Sequence, residues 1–222
     1  MTKSNENLKR ITAMAMLTAI AIVCDIFLRI PNIGGFLTYE PKDVILCIGA
    51  FIFGPISGII MALVVCLVEM VTVSTTGVIG FVMNFLASAM FVGVSSVIYT
   101  RNKKLSRAII GLVAGSLSMI AIMLLWNYIM TPIYMGVPRE AVLAMFLPIL
   151  IPFNALKAGL NTALVLLLYK GIVTALRKSK LVPERESSDG ANKRSNTIIL
   201  AAISALIVAT LLLVMLIFAG II

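Results

Sequence analysis

The sequence predicts an all-α integral membrane protein, with a six-helix core whose second helix is short and one additional transmembrane helix at the C-terminus. Three observations lead there. The 222 residues are 61% hydrophobic and 12% charged, whereas a soluble domain carries roughly a quarter charged residues. That leaves too little polar surface to cover a globule in water. Apolar runs long enough to cross a bilayer, about 20 residues each, recur along the whole chain, and the mean hydropathy is +1.11. The formal net charge of +9 is gathered in polar stretches between these runs, so it is read first as a topology signal and only then as a surface for nucleic acid.

The first run follows Lys3, Lys9 and Arg10, a beginning that mimics a signal peptide. It extends over 11–28 with no small-residue cleavage site at its end, and is therefore read as a retained helix over 8–28. Arg29-Ile30-Pro31 stops it, and the loop 31–41 follows with Gly34-Gly35 as its pliable point. The apolar stretch 44–73 is too long for one comfortable span and short for two. It contains Phe53-Gly54-Pro55, and proline breaks a helix by removing a donor and clashing with the preceding turn. If the stretch were one helix, Arg101, Lys103, Lys104 and Arg107 would face outside. Split at Gly54-Pro55, it places these residues inside, together with Lys3, Lys9, Arg10, Lys170, Arg177, Lys178, Lys180, Arg185, Lys193 and Arg194. Only Arg29, Lys42 and Arg139 then fall outside, with Lys157 within the membrane. The positive-inside rule selects the split. The second helix, over 41–53, is only about 20 Å long at 1.5 Å per residue, so the outer loop must dip inward to meet it. Such a dip is tolerated where protein or a water-filled cavity surrounds it. Later spans are read over 78–99, 108–130 and 148–176. The charged stretch 179–195, rich in Ser, Asn and Gly, is read as a cytoplasmic linker and 196–222 as a seventh span that exits outward. The organisation is thus 1–178, a substrate-binding membrane domain, then 179–195 and 196–222.

Ionisable groups inside a membrane are costly and are functional candidates by default. In the split topology they gather at one depth. Asp25 and Arg29 end helix one, Glu40, Lys42 and Asp43 open helix two, and Glu69 lies near the outer end of helix three. Asn84 starts helix four, Asn127 sits between Trp126 and Tyr128, and Asn154 and Lys157 lie two turns into helix six. Each has a structural reading as well. Asp25 and Arg29, four apart, read as a local ion pair; Glu40 to Asp43 as an interfacial loop or part of a site; Asn84 as glue between helices. Asn154 and Lys157 share one helix face, and the lysine has no acid one turn away on its own helix. An amide and an ammonium suit a neutral, carbonyl-rich heterocycle. Phe36, Tyr39, Trp126, Tyr128 and Tyr134 offer stacking faces or an interfacial belt. Cys24, Cys47 and Cys66 lack CxxC spacing and the chain has no histidine, so they are read as core residues and no metal site is expected. Ala15 and Ala19 form a small-xxx-small pair that admits a close helix partner.

Several stretches resemble the riboflavin-specific substrate-binding (S) component of energy-coupling factor (ECF) vitamin transporters. They are Phe36-Leu37-Thr38-Tyr39-Glu40-Pro41-Lys42-Asp43-Val44, Phe53-Gly54-Pro55 with Gly58, Met83-Asn84-Phe85-Leu86, Trp126-Asn127-Tyr128 through Thr131-Pro132-Ile133-Tyr134, and Pro152-Phe153-Asn154-Ala155-Leu156-Lys157-Ala158-Gly159. The resemblance covers about 8–178. It implies the S-component fold, with riboflavin as transported ligand beneath the outer loops and no cofactor. Asn127, Asn154 and Lys157 would bind the flavin, Thr38 and Glu40 would cover or line the site, and Asn84 would join them. Ala15 and Ala19 would meet the transmembrane coupling subunit, with energy from two partner ATP-binding subunits. No GxxxxGK[ST] stretch occurs in this chain. The pattern normally ends after helix six, so 179–222 departs from it. A membrane enzyme would need a nucleophile, an acid–base pair or a metal cluster; the chain has no histidine and no spaced carboxylate pair within one helix, and Glu69 with Asp43 is the pair that can be imagined. The alternative, a self-sufficient secondary transporter of a small heterocyclic metabolite, would need a midplane site between repeats with broken helices in both halves, whereas the polar groups are biased outward and only Gly54-Pro55 marks a clear break.

Overall fold

The computed structural model describes residues 3–33, 37–182, 204–205 and 207–217. The order is α1 (Lys3–Phe27), β1 (Ile30–Ile33), β2 (Leu37–Tyr39), α2 (Lys42–Phe53), α3 (Pro55–Thr72), α4 (Gly77–Thr100), α5 (Leu105–Met135), α6 (Arg139–Met145), a π-helical turn (Phe146–Leu150), α7 (Ile151–Lys178) and α8 (Ile207–Ile217). Among the described residues five stretches are long and apolar enough to cross a membrane: Asn5–Phe27, Pro55–Thr72, Gly77–Thr100, Leu105–Met135 and Arg139–Lys178. The second helix, with 12 residues, reaches only about 18 Å.

The break between α2 and α3 follows from two residues. Gly54 takes φ +98°, a conformation that L side chains rarely adopt. Pro55 then occupies the first turn of α3, where its missing N–H has no intrahelical partner to lose. The side chain of Arg10 closes the elbow, donating to the Phe53 carbonyl at 3.0 Å and to Ser57 Oγ at 2.7 Å. A cation is well placed there, because the helix break leaves the Phe53 carbonyl without an amide partner in α2, at the negative end of its dipole.

Three expectations need correction. The stretch read as an open loop over 31–41 contains an antiparallel pair, with Ile30 opposite Tyr39 and Ile33 opposite Leu37. Their apolar spacing was hidden by the glycines between them. The fifth helix runs to Met135 rather than 130 because Pro132 lies within it, and a transmembrane helix can absorb a proline where its neighbours satisfy the freed groups. It stops at Gly136, which is left-handed at φ +65°. The last core span begins at Arg139 rather than 148. It passes through the widened turn 146–150 that contains Pro148, where the extra residue per turn relieves the clash of the proline ring with the preceding carbonyl.

The core fills the centre of the bundle, with Leu17, Leu46, Ile48, Met61, Phe91, Leu112 and Met119 almost fully buried. Cys47 and Cys66 are buried there as free thiols and Cys24 is half-buried and free. Ile56, Val71 and Leu147 are exposed, as side chains facing lipid are. α4 and α5 form the most extensive helix pair. Their approach depends on glycine. A Cβ on Gly111 would stand 2.6 Å from the Ser95 carbonyl oxygen, and one on Gly115 would stand 2.6 Å from that of Phe91. Phe51 stacks on Tyr99 at 4.2 Å, and the Tyr99 and Tyr169 hydroxyls share a 2.9 Å hydrogen bond.

α7 ends at Lys178, the predicted limit of the core. The linker 179–195 is described only through Val182, and of the span 196–222 only 204–205 and 207–217 are described; the remainder lies outside the described residues. Gly115→Val is expected to force α4 from α5 and to cost about 1–3 kcal/mol, the usual penalty of an overpacked interface. Thermal unfolding of the detergent-purified protein checks this, and an unchanged midpoint would show that α4 and α5 yield freely.

Candidate functional site

The β1–β2 hairpin delivers Glu40 into the bundle, and Pro41 starts α2 immediately afterwards, so Lys42 and Asp43 occupy its first buried turn. Lys42 is completely buried. Its Nζ lies 3.0 Å from Glu40 Oε2, in direct contact with Glu69 Oε2, and 3.7 Å from Asp25 Oδ1. Glu40 is the second hub. Its Oε2 also accepts from Lys157 Nζ at 3.3 Å, while its Oε1 accepts from Asn84 Nδ2 at 3.2 Å and lies 3.7 Å from Arg29. Asn84 donates to Glu69 as well, and Ser88 donates to Asp43. Burial by itself would raise the Glu40 carboxyl, but the Lys42 and Lys157 ammonium groups outweigh it and hold that carboxyl below the usual carboxylate range. An unpaired charge at this depth would be prohibitive; here Asp25, Glu40 and Glu69 all lie against the Lys42 ammonium, Glu40 also takes Lys157, and Asp43 is held by the Ser88 hydroxyl.

Beside this network lies a cavity of about 340 Å³, within the range of small-molecule sites. Its polar lining residues are Thr38, Glu40, Glu69, Asn84, Asn127, Asn154 and Lys157, with Arg29. Its apolar lining includes Trp126, the single tryptophan of the chain, with Met83, Met119, Met123 and Met130. Methionine is flexible and polarisable, and its sulfur makes favourable contacts with aromatic rings. Asn127 and Asn154 each spend an amide hydrogen on their own helix, donating to Met123 O at 2.7 Å and Leu150 O at 2.8 Å. Thr131 donates to Asn127 Oδ1 at 2.9 Å. These bonds fix both amides at the cavity edge.

All six residues predicted from sequence as substrate-binding (Thr38, Glu40, Asn84, Asn127, Asn154 and Lys157) are brought together around this one cavity. The expected acceptor for Lys157 exists and comes from the hairpin. Other expectations fail. Asp25 and Arg29 do not form a local pair; Asp25 faces Lys42, and Arg29 reaches Glu40 and donates to the Val73 carbonyl at 3.1 Å. Tyr39 is no stacking face, since its hydroxyl is buried and donates to Asn161 Oδ1 at 3.0 Å. Tyr128 lies outside the cavity beneath the Arg139 guanidinium, 5.6 Å from the ring centre, whereas Trp126 and Tyr134 do line it. Phe36 lies outside the described residues. The methionine wall was missed, although Met119, Met123, Trp126 and Met130 follow the helical repeat on α5 and could have been read as one face. Ala15 and Ala19 lie exposed on α1, away from the cavity.

The family described as ECF transporter, substrate-specific component, matches residues 9–169. Over 177 residues the chain is 32% identical to the riboflavin transporter RibU of Staphylococcus aureus strain TCH60, an alignment covering 77% of this chain and 93% of that protein. The fold is similar to a solved structure of the S component of a bacterial ECF transporter, with a TM-score of 0.66 and 30% identity over 77% of this chain and 99% of the other.

Lys42→Met is expected to destabilise the fold by about 3–5 kcal/mol, because it strands buried carboxylates without their cation. Arg29→Gln, at a partly exposed side chain, is expected to cost less than about 1 kcal/mol. Thermal unfolding of the two variants side by side checks the ranking; equal loss would refute the assignment of Lys42 as the hub.

Proposed function

We propose that this chain, which belongs to the ECF transporter substrate-specific components, captures riboflavin in the cavity beside Glu40 and Lys157. As a substrate-specific component it is a multi-pass membrane subunit of a transporter and not an enzyme, with the ATPase residing in partner subunits. The observation that carries the choice of ligand is the mixed lining of the cavity, with amides, carboxylates and an ammonium beside a tryptophan and several methionines. Riboflavin has the matching groups. Its ring system offers a flat π-surface to Trp126 and the methionines, and its carbonyls and ring nitrogens accept from the Lys157 ammonium and the Asn154 amide. Its chain of hydroxyl groups can donate to Glu40 and accept from Asn84 and Thr38. The name and 32% identity of the relative from Staphylococcus aureus support the same choice.

The basic residues support an orientation. The cavity takes residues from the first half of α4 and the second half of α5, so the turn with Arg101, Lys103, Lys104 and Arg107 lies at the opposite end of the bundle. Arg10 at the elbow and Lys170, Arg177 and Lys178 late in α7 lie toward that end too. By the positive-inside rule it is cytoplasmic and the cavity faces outward. The N-terminus is then inside, and the last span carries the C-terminus out. Partners are a transmembrane coupling subunit and two ATP-binding subunits, and the exposed pair Ala15 and Ala19 forms the contact with the coupling subunit.

Because Trp126 is the only tryptophan and lines the cavity, its fluorescence reports on this site alone. Riboflavin is expected to quench it saturably at one flavin per chain, without competition from biotin or thiamine. Lys157→Met and Asn154→Ala are each expected to weaken binding by roughly tenfold or more, as loss of a charge-assisted hydrogen bond does. Folded protein that shows no quenching would sink the riboflavin reading. Ala15→Leu with Ala19→Leu is expected to leave quenching intact while abolishing copurification of the coupling subunit; normal copurification would remove the α1 interface.

A further inference from the structure

The face of α7 behind the cavity is covered by the chain's own C-terminal helix. Gly159 makes the seat, since a Cβ there would stand 3.2 Å from Leu211 Cδ1 of α8. Four residues further along α8, Met215 is completely buried in an apolar cluster with Leu37, Tyr39, Leu150 and Phe153. Val208 and Leu211 pack against the same cluster, so α8 lies along α7 over Leu150, Phe153 and Leu160. Two members of that cluster, Leu37 and Phe153, also line the cavity. Leu37 opens the strand that immediately precedes Glu40, and Phe153 immediately precedes Asn154. The cluster that buries Met215 therefore adjoins residues that carry polar groups of the site. Ala15 and Ala19 remain exposed on α1, and α1 packs on α2 and α3 rather than on α7. The docked helix thus leaves that face open.

We propose that α8 is a built-in brace, which by packing behind Leu37 and Phe153 holds the β2 strand and the start of α7 in their binding geometry and slows ligand exit. The hairpin needs such support. β1 and β2 are only four and three residues long, and an isolated two-stranded hairpin is marginal by itself. Tyr39 anchors its end through Asn161, but beyond its pairing with Ile33 in the hairpin, Leu37 is held by apolar packing. A segment secured by few contacts opens locally well before the bundle unfolds, and ligand bound beneath it escapes through such openings. The effect on ligand exit rests on the riboflavin reading above; the effect on hairpin opening does not.

Two full-length variants test the brace from either side. Met215→Ala removes the buried anchor on α8, and Gly159→Leu fills its seat on α7. Hydrogen exchange of the ligand-free protein is expected to show the amides of 37–40 exchanging about tenfold faster in both variants, while those of α4 and α5 are unchanged. Riboflavin dissociation, followed by recovery of Trp126 fluorescence, is expected to accelerate by about tenfold, equivalent to about 1.4 kcal/mol of lost packing. If wild-type protein binds no riboflavin, the ligand reading fails and exchange at 37–40 alone decides the brace. If wild-type protein binds riboflavin but both exchange and dissociation are unchanged in both variants, the brace is refuted.

Discussion

Four carboxylates (Asp25, Glu40, Asp43 and Glu69) and two lysines (Lys42 and Lys157) are buried together, with Arg29 partly exposed beside them, and much of the fold can be read as the geometry that brings these charges to one place. Lys42 is central because it alone touches carboxylates from three different segments: α1, the hairpin and α3. Buried pairs of this kind contribute little net stability compared with apolar packing. Their effect is on uniqueness, since any slip of α1, α2 or α3 would strand a charge where nothing could solvate it. The same saturation prepares the site. Glu40 takes Lys42 and Lys157 on one oxygen and Asn84 on the other, so its position is set before a ligand arrives.

The shortness of α2 makes this arrangement possible. A helix that crossed the whole bilayer would have placed its first turn at the surface, where Lys42 and Asp43 would simply be hydrated. Ending the preceding hairpin inside the bundle and breaking the chain again at Gly54 lets α2 begin at depth. The exposed backbone of the hairpin is tolerable because it pairs with itself and lies against protein. The cavity occupies the space that a full-length helix would have filled.

Much of this was legible in the sequence, for identifiable reasons. Proline and glycine at 54–55 and the distribution of Lys and Arg pointed to the break that leaves the second helix short, because both reflect local rules. The six residues that line the one cavity were singled out by their polarity at a common depth and by the resemblance of their motifs. What was not legible was pairing across the chain. Asp25 and Arg29, four apart on a helix, looked like partners, but a buried ammonium from α2 offers Asp25 more than a half-exposed guanidinium does. The hairpin was hidden because its strands are too short for periodicity to register, and the methionine wall because apolar residues on a membrane helix are unremarkable until one face is known to be empty. The passage of α5 through Pro132 and the widened turn at Pro148 depend on neighbouring helices that no local window contains.

The charge network has a consequence for how the protein is made. Asp25, Glu40, Lys42, Glu69 and Asn84 all lie within the first four helices, so their mutual contacts draw on nothing from α5 onward. In a chain synthesised from its N-terminus, the partners of the Lys42 ammonium are therefore made before Lys157 is. Lys157 arrives much later and meets a carboxylate already engaged by Lys42. The order of translation thus separates the cation that assembles the fold from the cation that completes the site.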